Sequence, residues 1–273
     1  MNMKQKIEKL TFNSSLAKFG KGLFETIKIY QGTPLLLDEH LERLFNSIQE
    51  LGFDNLVSRE EIREEIIRAC KGRGGEALRV AVCDEGYNFS FRKVKYDAGD
   101  YRCGFKVAIS PVKRGESPLY CHKTSNYLEN IYSLEKARGK GYDEALFLNQ
   151  QQKVLECTLS NIFFIAGDVL YTPSTKDYIL PGVMRRQVIE AANELGIKVV
   201  RRGIWYKEID DFEFSFLTNS LVELIKVKEI EGTTYSNQDE KVQLKKDADV
   251  CKDNELFREI NQKVKELVYE RET

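Results

Sequence analysis

Four short apolar runs crowd together at residues 145–148, 154–155, 161–165 and 169–171, with Gly and Asn residues between them. None is long enough to be a helix, and turns this closely spaced force the chain to reverse direction repeatedly. The pattern folds as a sandwich or a barrel. Strands are also expected at 198–202, 214–217 and 224–227. Helices are expected at 124–138, at 182–195 with Gly196 as the stop, and as an amphipathic tail at 254–269.

The part before this cluster has a different grammar. Residues 23–30 alternate apolar and polar, Gln31 and Gly32 interrupt them, and Pro34-Leu35-Leu36-Leu37 follows, which reads as a β-hairpin. Asp38 is placed to cap a helix through Leu41, Leu44, Phe45, Ile48 and Leu51 that Gly52 ends. Ser58 and Glu61 have the spacing of a capping box opening a second helix. Runs at 77–83, 87–94 and 105–109 read as strands, and 111–118, with a proline at each end, reads as a linker. The expected class is α+β in two domains. Residues 1–115 would form an N-terminal α/β sandwich, and 116–273 a barrel-like β domain with helices.

Composition removes several kinds of function. Among 273 residues Lys plus Arg number 42 against 43 Asp plus Glu, so no basic excess exists to neutralise a run of phosphates, and no nucleic-acid partner is expected. Six cysteines (70, 83, 103, 121, 157 and 251) form no C-x-x-C pair, and two histidines, His40 and His122, exclude a multi-histidine metal site within one chain. The opening MNMKQKIEKL lacks the apolar core of a signal peptide, and no apolar run approaches the roughly 20 residues that span a bilayer. A cytoplasmic protein with no membrane partner is expected.

Three segments could carry chemistry. Lys123 lies in Cys121-His122-Lys123-Thr124-Ser125-Asn126-Tyr127, just before an expected helix; a lysine becomes a nucleophile toward carbonyls when desolvation or a nearby cation depresses its pKa. Glu156 sits between two strands, where a buried carboxylate demands a cationic partner. Leu180-Pro181-Gly182-Val183-Met184-Arg185 opens a helix with glycine, leaving backbone N–H groups suited to a phosphate. Taken singly, each has a plain reading as well: a solvated lysine, a turn glutamate, a glycine N-cap.

Together with Phe19-Gly20-Lys21-Gly22-Leu23-Phe24-Glu25-Thr26, His40-Leu41-Glu42-Arg43-Leu44, Gly141-Tyr142-Asp143-Glu144-Ala145 and Phe216-Leu217-Thr218-Asn219-Ser220, these segments stand in an order and spacing that resembles the class IV aminotransferases. These are the pyridoxal-phosphate enzymes of fold type IV. The resemblance covers nearly the whole chain and implies pyridoxal 5'-phosphate as cofactor, a small-molecule amino substrate and a homodimer. Lys123 matches the lysine that forms a Schiff base with the cofactor and then shuttles the substrate α-proton. Glu156 matches the carboxylate that keeps the pyridine nitrogen protonated. Arg43 matches the phosphate-binding arginine, Val183 and Met184 the backbone phosphate cradle, and Asn219 and Ser220 the polar segment closing the other side. Tyr127 is matched to the cofactor ring, with a core tyrosine as the other reading.

The chain departs from the family pattern in places. Cys157 stands where many relatives have glycine, and Met184 where many have threonine, which removes a hydroxyl but keeps the N–H. After Arg79, the segment Cys83-Asp84-Glu85-Gly86 replaces the Arg-x-His carboxylate trap of D-amino-acid aminotransferases. The Lys-x-x-Asn-Tyr pattern and the compact length are most like aminodeoxychorismate lyases. The expected function is conversion of 4-amino-4-deoxychorismate to 4-aminobenzoate and pyruvate, for folate. The alternatives are a class IV aminotransferase acting on branched-chain or D-amino acids, and a binding module that has lost the cofactor.

Overall fold

The computed structural model describes residues 6–53, 58–234 and 254–270. Cys251 lies outside them; the other five cysteines are free thiols. The chain divides into two compact units: Met1–Lys95 with His122–Tyr127 and Val268–Thr273, and Tyr96–Cys121 with Leu128–Leu267. This differs from a single boundary at 115/116, because the segment holding Lys123 goes with the first unit.

In the first unit a short helix α1 (Ser15–Phe19) precedes β1 (Gly22–Tyr30), β2 (Thr33–Pro34), α2 (Leu37–Glu50), α3 (Arg59–Cys70), β3 (Glu76–Cys83) and β4 (Gly86–Lys93). The sheet runs β2-β1-β3-β4, antiparallel throughout. Gln31 and Gly32, at φ 47° and 86°, make the tight hairpin turn that the sequence marks. Leu41, Leu44, Ile62 and Ile66 pack on Ile27, Leu78 and Val80 of the sheet. The expected cap at Asp38 is not found. Leu36, left-handed at φ 52°, is the N-cap with no side-chain bond, and α2 begins one residue before Asp38. The Asp38 carboxylate instead accepts from Arg63 Nε at 3.0 Å. Gly52, at φ 62°, stops α2 as expected, and the Ser58–Glu61 capping box forms.

The second unit contains α4 (Ala98–Cys103), β5 (Phe105–Arg114), α5 (Leu128–Arg138), β6 (Glu144–Asn149), β7 (Lys153–Cys157), β8 (Asn161–Ala166), β9 (Val169–Thr172), α6 (Val183–Glu194), β10 (Lys198–Arg201), β11 (Ile204–Trp205), β12 (Phe214–Asn219), β13 (Glu223–Ile230), β14 (Thr233–Thr234) and α7 (Glu255–Lys265). One mixed, curled sheet runs β10-β9-β8-β12-β13-β5-β6-β7-β11, with β14 on β13. Both faces of its middle are covered. Ile162, Phe164, Leu217 and Ile225 point into one core. On β8 and β12, Phe163 and Phe216 stack at 5.1 Å, and Phe257 of α7 packs on Phe214 and Phe216. Burial on two sides explains why these strands are written as unbroken apolar runs.

Two further expectations are corrected. Residues 111–114 are not linker but the end of β5, which absorbs Pro111 at an irregularity between Ile109 and Lys113 where a missing N–H costs no ladder bond. The helix expected from Thr124 starts only at Leu128, since residues 122–127 are held by strand-like pairing to β1.

Candidate active site

Lys123 is carried on a strap laid along β1. Phe24 N–H donates to the Lys123 carbonyl at 2.9 Å, Ser125 N–H donates to Gly22 O at 2.8 Å, and Thr124 bridges Leu23. The strap lies tight against the strand, and a Cβ on Gly22 would come within 2.9 Å of Ser125 Oγ. The lysine side chain is half-buried, with Nζ 4.6 Å from the centre of the Phe24 ring and 5.7 Å from that of Tyr127. Tyr127 meets Phe24 edge-on at 5.2 Å, and the Arg79 guanidinium lies 3.6 Å from the centre of the same Phe24 ring. Two cations thus share one aromatic ring.

Arg43 projects from α2 onto Glu25 of β1. Its Nε and Nη2 donate to the two carboxylate oxygens at 2.8 and 2.5 Å, a bidentate fork, and His40 Nδ1 stands 2.7 Å from Oε2. Burial alone would raise the Glu25 carboxyl, but Arg43 and His40 outweigh it and hold it at about 2. Burial pushes His40 below its ordinary range against the pull of Glu25, so the ring is neutral at neutral pH. The guanidinium is therefore fixed by an anion that stays ionised.

In the second unit Glu156 is 7% exposed and fully engaged. Oε1 accepts from Arg114 Nη1 at 2.8 Å; Oε2 accepts from Asn161 Nδ2 at 3.2 Å and from Leu180 N–H at 3.0 Å. Arg114 is itself held by Glu129 at 2.5 Å and by Asn130, and packs 3.7 Å from the centre of the Phe147 ring. Just beyond Leu180, Gly182 is the N-cap of α6 and contributes no side-chain bond to the first-turn amides, while Val183 and Met184 are buried. Glycine is required there, because a Cβ would come within 2.0 Å of Asn161 Oδ1. Asn219 ends β12, with Ser220 next in the turn; Asn219 Nδ2 donates to Ser160 Oγ at 3.0 Å, and its Oδ1 accepts from Leu221 and Val222 N–H.

Residues 22–230 match the family model of the class IV amino-transferases. The chain belongs to the class IV aminotransferase family. It is 29% identical over 237 residues to the aminodeoxychorismate lyase of Bacillus subtilis, covering 81% of each chain. It is 30% identical over 246 residues to a putative branched-chain-amino-acid aminotransferase of Methanocaldococcus jannaschii, covering 81% of this chain and 82% of that one. A solved putative 4-amino-4-deoxychorismate lyase from Legionella pneumophila superposes with a TM-score of 0.76 at 26% identity, over 96% of this chain and 98% of that chain. The α+β fold is that of fold type IV, and this class IV member is a pyridoxal-phosphate enzyme.

The residues present suit that cofactor. The second unit supplies a buried carboxylate at Glu156 paired with Arg114, and a helix start whose N-cap, Gly182, brings no side chain to the first-turn amides, which suits an anion. The first unit supplies a half-buried amine beside aromatic rings and a fixed arginine. Sequence reading missed Arg114, Asn161, Glu25 and His40 as parts of these groupings. The signal for Arg114 was the need of Glu156 for a buried cation, obscured because residues 111–118 looked like a linker.

Proposed function

We propose that this class IV enzyme is a lyase that converts 4-amino-4-deoxychorismate to 4-aminobenzoate and pyruvate. The observation that carries the reading is the surroundings of Lys123: the edge-on Phe24–Tyr127 pair and the Arg79 cation 3.6 Å from the Phe24 ring centre suit a ring amine that bears carboxylates. The likeness to lyases of B. subtilis and L. pneumophila over the length of the chain agrees with it.

Pyridoxal 5'-phosphate, when bound, supplies an electron sink for charge that develops on the substrate carbon beside the amine. Arg43 in the first unit, and in the second the backbone of Val183 and Met184 with Asn219 and Ser220, are the residues that would hold its phosphate. Lys123 would anchor the cofactor through its amine and would be the group that takes and returns the proton of the substrate carbon. Glu156, paired with Arg114, would be the carboxylate that keeps the cofactor's ring nitrogen protonated. Phe24 and Tyr127 limit water around the Lys123 amine. A homodimer in the cytoplasm is part of the same reading.

The second reading, an aminotransferase, is favoured by the likeness to the M. jannaschii protein. The two part at the fate of the bound substrate: elimination of pyruvate, or exchange of the amine for a keto group. Incubation with 4-amino-4-deoxychorismate, followed by assay of 4-aminobenzoate and pyruvate, decides between them when set beside keto-acid formation from D- and L-amino acids. Release of 4-aminobenzoate with equimolar pyruvate is the expected result; keto acids alone would establish the aminotransferase. A protein that gains no visible band with added cofactor and gives neither product would be a binding module.

A further inference from the structure

Glu144 belongs to a motif that carries the family resemblance, yet none of the roles above uses it. It opens β6 at 1% exposure, and three donors of one turn converge on its carboxylate: the Thr158 hydroxyl, Ser160 Oγ at 3.0 Å and Leu159 N–H at 3.3 Å. That turn joins Cys157, at the end of β7, to Asn161, at the start of β8. It therefore sets the separation of Glu156 from the asparagine that donates to it. On the other side of the turn, Asn130 Nδ2 donates to the Thr158 carbonyl at 2.7 Å.

The bonds have a direction. Ser160 spends its one proton on Glu144, so its oxygen can accept from Asn219 Nδ2; Asn219 Oδ1 is then free to take the amides of Leu221 at 2.8 Å and Val222 at 3.0 Å. A chain of donors thus runs from the end of β12 to the Glu144 carboxyl, whose two oxygens accept from all three groups of the turn. Burial pushes the Glu144 carboxyl up to about 7, which the three donors moderate.

We propose that Glu144 is a positioning residue of the cofactor site, fixing the turn between Glu156 and Asn161 and, through Ser160, the orientation of Asn219. The proposal rests on the reading of Glu156 and Asn219 as cofactor contacts. Replacing Glu144 by glutamine sets an NH2 group against at least one of the three donors, which weakens the hold on the turn and on Ser160.

Amide hydrogen exchange on the full chain tests this without reference to activity. In Glu144→Gln and in Ser160→Ala, the Leu221 and Val222 amides should exchange about tenfold faster than in wild type, and the double variant no faster than either. Affinity for added pyridoxal phosphate, read from the visible band, should fall about tenfold in each single variant and again no further in the double. Ser160→Ala keeps the Thr158 and Leu159 bonds, so it decides the matter if Glu144→Gln does not fold. Exchange within twofold of wild type in Ser160→Ala, or effects that multiply in the double variant, would overturn the proposal. Wild-type protein that takes up no cofactor would defeat the functional reading instead, and the exchange results would then judge the Glu144–Asn219 coupling by itself.

Discussion

In the function we propose, Glu156 opposes a protonated ring nitrogen, and the cation that such a buried carboxylate needs is Arg114. Glu156→Gln keeps the side-chain shape and an acceptor but loses the charge; turnover should fall about a hundredfold while cofactor affinity changes only a few-fold. Equal turnover in variant and wild type would show that Glu156 is a turn residue. Lys123→Ala should reduce turnover at least about a thousandfold with an unchanged circular dichroism spectrum, since the strap is held by backbone bonds to Gly22 and Phe24. An active Lys123→Ala enzyme, with no amine added, would refute the assignment. Lys123 and Glu156 could be proposed from sequence because each stands in a recognisable string. Arg114 was not, since nothing local marks a residue whose partner is reached only when β5 and β7 are brought into one sheet with β6 between them.

Elements were legible where punctuation is local. The Ser58–Glu61 box satisfies two backbone donors with residues three apart, so spacing alone reveals it, and Ser58→Ala should cost about 1 kcal/mol in a urea titration. The start of α2 failed for the opposite reason. Leu36 adopts a left-handed conformation that its sequence does not advertise, held in place by Leu35 N–H donating to Lys28 O across the hairpin. Asp38 then supports the first turn with its charge and draws in Arg63 of α3. Pro111 misled in the same way: a proline inside β5 looks like an end, and only the irregular pairing with β6 permits it.

Across the whole molecule, two buried carboxylates act on stability in opposite pH windows. Glu25, held at about 2, contributes stability present above pH ~4.5 and lost as pH falls toward 2. Glu144, raised to about 7, contributes stability present below pH ~4.5 and lost as pH rises through 7, on the order of 3 kcal/mol if it acts alone. Urea midpoints should therefore decline between about pH 5 and 8 in wild type and stay flatter in Glu144→Gln; parallel curves would show that the Glu144 carboxyl titrates normally. The homodimer we propose is tested by sedimentation at micromolar concentration, where an active species of one 31.6 kDa chain would refute it. Domain limits were only partly legible, because composition marks a boundary along the chain whereas the strap at His122–Tyr127 departs from its sequence neighbours. That strap also has a consequence in time. Its bonds to Gly22 and Phe24 close a loop of roughly a hundred residues, a late and slow event for a refolding chain, whereas the hairpins β1–β2 and β3–β4 close over a few residues each. A chain diluted from denaturant should therefore form its hairpins well before the strap seats Lys123 beside Phe24, so catalytic competence should lag the first regained secondary structure.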